Sequence, residues 1–228
     1  MRSDSKDIIR VFLLWAVFTV AGYAVVLLFN PFPVAAAVEA HLFDEAFTVL
    51  TLFAVPVFTF VVTVMIYGVL RFRTSGEPTE DGPPERGQKS LIITWFAGST
   101  VLTAVLIIFP GLTGILELRH LDQKPADVVV QVEAQRFAWT MTYPEYDVFS
   151  RRELVLPIDE HVRFNITVSE TKTVVLHSFW IPAFRIKIDA APGMTTHTAA
   201  TPDLWGDFDT DVNFRLQRAR CAQPDITV

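Results

Sequence analysis

Residues Ala126 to Tyr143 read ADVVVQVEAQRFAWTMTY. From Val128 onward, valines and aromatics alternate with polar residues, a period of two that gives a strand one buried and one wetted face. Three comparable stretches follow at short intervals: RRELVLPI (151–158), HVRFNITVS (161–169) and KTVVLHSF (172–179). Turns rich in Pro, Asp, Glu and Ser separate them. FRIKIDA (184–190), THTAAT (196–201) and GDFDTDVNFRL (206–216) supply further short strands. The pattern predicts a small antiparallel β sandwich.

Upstream of these strands the chain becomes apolar. Over its 228 residues 51% are hydrophobic and only 19% charged, a balance that points to membrane segments. Residues 11–29, VFLLWAVFTVAGYAVVLLF, carry no charge and follow Arg2, Lys6 and Arg10. About 20 such residues cross the hydrocarbon core, because a helix satisfies its own backbone there. The same start, followed by the small residues of VAAAVEA (34–40), also fits a signal peptide cleaved near Ala37 or Ala40. Residues 1–40 are therefore either a signal peptide or an additional transmembrane helix.

Two further apolar segments, about Phe47–Leu70 and Leu91–Leu112, predict a transmembrane helical hairpin within residues 41–115. Pro56 and Pro110 are placed to kink or end these helices. The charged, Pro- and Gly-rich loop of about residues 71–90 carries Arg71, Arg73, Arg86 and Lys89, which places it in the cytoplasm. Residues 116–228 then lie on the extracytoplasmic side of the cell membrane.

A net charge of −6 without a Lys/Arg stripe argues against nucleic acid as a partner. Cys221 is the only cysteine, so an internal disulfide and a multi-cysteine metal cluster are both excluded within this sequence. His41, His120, His161 and His197 show no ligand spacing. No Ser-His-Asp set, paired-carboxylate site or phosphate loop stands out, so catalysis by this chain alone is not expected. The Asn165-Ile166-Thr167 triplet matches a glycosylation acceptor, a weak signal by itself.

The most specific stretch is HSFWIPAFRIKIDAAPGMTT, from His177 to Thr196. With VEAQRFAWTMTYP (132–144) and the helix ending in YGVLRFR (67–73), it resembles subunit II of the haem–copper oxidases, the cytochrome c oxidase family. The likeness covers about residues 45–210. It implies a membrane-anchored all-β fold, in which N-terminal transmembrane helices precede a cupredoxin-like Greek-key β sandwich. It further implies a binuclear copper centre bridged by two thiolates, with haem held only by the partner, catalytic subunit I. Soft thiolate and imidazole donors suit copper in such a role. His177 matches the first histidine ligand. Trp139 and Phe137 fall where the family docks cytochrome c or another extracytoplasmic electron donor. Asp189 matches an acidic position that either orients the histidine or serves the interface with the catalytic subunit.

The chain departs from that pattern after about residue 210. Counted without gaps, Val212 and Leu216 occupy the cysteine positions and Arg220 the second histidine position, while Cys221 stands alone in DVNFRLQRARCAQPDITV. A frameshifted or truncated reading, a subunit that lost its copper, or ligands supplied elsewhere each account for this, and the abruptness of the change favours the first. Arg136 replaces a polar residue and would repel a basic cytochrome c. Ile92, three before Trp95, stands where many members place an acidic residue at a proton entrance. The expected function is a subunit II-like relay passing electrons from cytochrome c through binuclear copper to the catalytic subunit, with the copper site incomplete. The alternative is a copper-free structural subunit of a quinol-type terminal oxidase.

Overall fold

The computed structural model describes residues 5–29, 32–73, 76, 89–136, 138–151, 153–169 and 175–206, with the backbone alone of 207–208 and 213–218. It divides into a helical unit, Met1–Pro31 with Ala46–Thr113, and a β unit, Phe32–Glu45 with Gly114–Val228.

Among the described residues three helices are long and apolar enough to cross a bilayer: α1 (Ser5–Leu28), α2 (Val38–Arg71), and α3 (Lys89–Leu106) with its continuation to Asp122. Apolar side chains such as Phe12, Phe58 and Phe96 stay exposed around them, the character of a helix solvated by lipid rather than water. The protein is a multi-pass membrane protein with its C-terminal β domain outside the cytoplasm. The third span is interrupted at Ile107–Leu112, a π-type turn in which Phe109 is extended (φ −135°, ψ 124°). Pro110 follows it and lacks the N–H that would continue the ladder. Helix α4 (Thr113–Asp122) resumes the path and leads into the first strand.

Among the described residues the β unit holds three sheets. The largest has the order β3-β2-β1-β5-β8, from Val148–Ser150, Ala138–Tyr143, Val128–Gln135, Val162–Val168 and Thr196–Ala200. A second joins β4 (Glu153–Ile158), β10 (Asn213–Arg218) and β9 (Gly206–Phe208), and a third pairs β6 (His177–Ile181) with β7 (Ile186–Ala190). Alternation decides the core. In β1 every second residue is buried, and Val128, Val130, Val132 and Ala134 are at most 2% exposed. Phe164 of β5 and Phe179 of β6 meet at 5.7 Å and are fully buried, each worth roughly 1.5–3 kcal/mol by transfer from water.

Two expectations are corrected here. The chain is not all-β: about 53% of the described residues are helical, including a third long helix before the sheets. The β unit itself contains the first turns of α2 and most of α4. Nor are the sheets purely antiparallel, as the sandwich reading expected. β1 pairs with β5 in parallel (Val130↔Phe164), and β10 pairs with β4 in parallel (Leu216↔Leu156). Parallel neighbours need a crossover connection, which the excursion through β2, β3 and β4 supplies between β1 and β5. Period-two alternation is the same in both kinds of pairing, and for that reason the sequence pattern did not distinguish them.

Candidate functional site

The His177 motif folds as a short hairpin. Phe179 and Ile181 of β6 are fully buried, so His177, on the same side of the strand, points along the core face and sits half-exposed at its outer end. Pro182 starts a single 3-10 turn, Pro182–Phe184, and Arg185 closes it in the left-handed region (φ 59°). β7 then returns in register, with His177 opposite Ala190 and Trp180 opposite Lys187. Trp180 lies on the outer face, 45% exposed, with the Lys187 ammonium 6.0 Å from its ring centre.

The hairpin brings His177 against Trp139 of β2, their rings edge-to-face at 6.1 Å and 72°. Trp139 also meets Phe179 at 5.5 Å, so a row of rings leads from His177 to Phe164 in the core. Two of the sequence-predicted residues are therefore neighbours. Asp189 is not beside them: it pairs across the hairpin with Ser178, and alternation turns that pair to the face opposite His177. Its backbone carbonyl accepts the Thr196 hydroxyl at 2.9 Å. Phe137 lies outside the described residues, and Arg136 beside it is exposed.

The donor set does not fit a binuclear copper centre. Among the described residues no three His, Cys, Asp or Glu side chains converge as metal ligands. Leu216, at a family cysteine position, belongs to a six-residue strand whose backbone pairs with both β4 and β9. Val212, Arg220 and Cys221 lie outside the described residues. His197 is engaged with Asn165 Oδ1 at 2.8 Å, and His41 with Asp203 at 2.9 Å.

Two polar constellations escaped the sequence reading. The first is a buried chain. Glu39, 6% exposed near the start of α2, accepts the Thr201 N–H at 2.8 Å and pairs with its hydroxyl at 3.2 Å. That hydroxyl meets Nδ1 of His161, which is 4% exposed, at 3.1 Å. Beside it, burial together with the nearby Asp127 and Glu145 pushes the Glu160 carboxyl above its ordinary range. The second is Arg185, whose guanidinium grips Asp44 through two hydrogen bonds. An arginine after Pro-Ala-Phe was visible as a motif member, but nothing in the sequence marked Asp44 as its folded partner, or Glu39 as that of Thr201.

A sequence model of the family described as cytochrome C oxidase subunit II, periplasmic domain, matches residues 142–210. The cytochrome c oxidase subunit 2 of Synechocystis sp. is 28% identical over 205 residues, covering 71% of this chain and 60% of the relative. That of Bacillus subtilis is 36% identical over 137 residues, or 55% of this chain and 36% of the relative. Subunit 2 of the cytochrome bo(3) ubiquinol oxidase of Buchnera aphidicola is 26% identical over 172 residues, with 75% and 57% covered. The chain thus spans no more than 60% of the length of these relatives.

Proposed function

Since the chain belongs to the cytochrome c oxidase subunit II family, we propose that it is a non-catalytic, membrane-anchored accessory subunit of a terminal oxidase complex, acting as a structural rather than a copper-relay component. Its helices dock the haem-bearing catalytic subunit, and its β domain caps that subunit on the extracytoplasmic side. Electrons then reach haem from membrane quinol without passing through this chain. The observation that carries this reading is the identity of the family's ligand positions: Val212, Leu216 and Arg220 supply no thiolate or imidazole, and Leu216 sits in a paired strand. The likeness to a ubiquinol oxidase subunit supports it.

The copper relay from cytochrome c is the second reading, and one observation favours it. His177 retains its motif and packs edge-on against Trp139, one of the two aromatics, with Phe137, expected at the donor-docking surface. The two readings separate on the purified complex. Metal analysis is expected to find no copper attributable to this subunit, and turnover is expected with a quinol donor but not with reduced cytochrome c. Two coppers per chain with a mixed-valence spectrum would overturn the structural reading.

A further inference from the structure

We infer that α1 is retained as a third membrane span that completes α2, and that the chain is not cut after Ala37 or Ala40. The first observation concerns Pro56, inside α2. A proline lacks an N–H, so the carbonyl four residues earlier, that of Leu52, loses its helical donor. In hydrocarbon such a carbonyl has no water to turn to. The Tyr23 hydroxyl of α1 donates to it at 3.1 Å. On the same face of α1, one and two turns earlier, Thr19 and Trp15 continue the pattern. The Thr19 and Thr59 hydroxyls meet at 2.8 Å, and Trp15 Nε1 donates to the Pro56 carbonyl at 2.8 Å.

Between these contacts the helices come close. A Cβ added at Gly22 would lie 2.8 Å from Cγ1 of Val55, so a larger residue would force the Val55 side chain or the helices to shift. At the far end of α1, Asp7 accepts the Tyr67 hydroxyl at 2.7 Å and faces Arg71 Nε at 3.4 Å. The partners run in opposite directions along the two helices, so α1 and α2 are antiparallel. Small residues and interhelical hydrogen bonds are what hold helices together where the hydrophobic effect is absent. A leader discarded after translocation has no use for a face matched to the break in α2.

The second observation is independent and lies in the β unit. The run that resembles a peptidase site is small because it is packed: Ala36, Ala37 and Ala40 are 0% exposed within the hydrophobic core. Ala36 N–H donates to the Ala183 carbonyl at 2.9 Å, and its own carbonyl accepts Asp203 N–H at 3.2 Å. Ala37 bridges to Pro202. Arg185 donates to the Pro33 carbonyl at 2.8 Å and stacks over Phe32 at 5.4 Å. Cleavage after Ala37 or Ala40 would remove these groups from the β unit and leave Ala183, Asp203 and Arg185 without them.

With α1 retained, its N-terminal end shares the cytoplasmic side with Arg71 and the loop that follows. The test is the intact mass and N-terminal sequence of the subunit isolated from the assembled complex. A chain beginning ahead of Ser5 is expected, and a mature start at Val38 or His41 would overturn the inference. Tyr23→Phe and Thr19→Val, measured in the full-length subunit, separate packing from mere attachment. Each is expected to lower the thermal midpoint by about 2–4 °C, the shift that ~1 kcal/mol gives a domain of this size. If both left the midpoint unchanged, α1 would be a passive tether and the proposed completion of α2 would be wrong.

Discussion

The Arg185 guanidinium holds the Asp44 carboxylate in a two-pronged contact, Nε to Oδ1 at 2.8 Å and Nη2 to Oδ2 at 2.7 Å. The pair joins residues 141 positions apart, linking the early turns of α2 to the hairpin that carries His177. With only 12% and 25% of their side chains exposed, the two ions sit in a medium where an unpaired charge is costly. Arg185 also donates to the carbonyls of Pro182 and Pro33, so four of its five N–H donors are used. Removing one partner breaks the two-pronged contact and takes from the other its nearest opposite charge. Asp44→Asn and Arg185→Met are each expected to cost about 3 kcal/mol, observed as a lower thermal midpoint of the full-length subunit. Arg185→Lys is expected to lose most of the same stability, because an ammonium cannot reproduce the planar fork. A lysine variant as stable as the parent would refute the two-pronged geometry.

Tyr143 offers a prediction that depends on pH. Its hydroxyl lies 4% exposed in the β core and accepts the Val155 N–H at 2.9 Å, tying β2 to β4. Burial pushes the phenol from 10.0 up to about 12. A raised folded value means that the unfolded chain gives up the proton first. The stability held by the neutral phenol is therefore complete below pH 10 and drains away as pH rises toward 12, by up to ~1.4 kcal/mol per pH unit. Tyr143→Phe should abolish this alkaline slope. It should also cost about 1 kcal/mol at neutral pH, since the half-buried Val155 N–H loses its acceptor. Unfolding midpoints measured from pH 8 to 12 on parent and variant test both parts, and parallel curves would contradict the assignment.

The chain Glu39, Thr201, His161 makes a third case. If the Thr201 hydroxyl donates to Glu39 Oε1, it accepts from His161 Nδ1–H, and one side chain satisfies two buried ones. Thr201→Val keeps the volume but deletes both bonds, with an expected loss of about 2 kcal/mol. Thr201→Ser should retain nearly all of the stability. Pairing Thr201→Val with Glu39→Gln in a double-mutant cycle should give a coupling of at least ~0.5 kcal/mol, because the two residues share a hydrogen bond. Additive effects would place the hydroxyl elsewhere.

Much of this arrangement was legible in residue order, and the failures have physical causes. Hydropathy located the spans, since crossing a bilayer demands long apolar runs and little else satisfies that demand. Alternation located most of the strands for the analogous reason. It could not reveal that β1 runs parallel to β5, because facing core and solvent in turn is required under either pairing. The Val-Ala run at 34–40 left a signal peptide and an additional span both open, because small side chains suit a peptidase site; the burial of Ala36 and Ala37 supports the retained span inferred above. Asp44 and Glu39 were silent, as acidic residues at the start of a helix are common. Their partners, Arg185 and Thr201, lie more than 100 residues away. His177 was legible from its motif, and its neighbour Trp139 came from a second motif on another strand. That their rings touch is a property of the folded hairpin.

That contact gives the last prediction. Copper(II) bound at His177 would lie close to the Trp139 ring, whose centre is 6.1 Å from that of the imidazole, and would quench its fluorescence strongly. One imidazole is a weak site for copper on its own, and the Trp180 face of the hairpin adds only Ser178, Lys187 and Asp189. Titrating the full-length subunit with copper(II) should therefore produce no stoichiometric quenching step at low micromolar metal. Any shallow loss of signal should disappear in His177→Ala and be reduced in Trp139→Phe, while His197→Ala leaves it unchanged. A sharp break at two metals per chain would show that further donors hold copper and would count against the structural reading. A sharp break at one would mean that a further donor reaches His177, and a His177→Ala titration combined with selective blocking of the Cys221 thiol would identify whether sulfur is that donor.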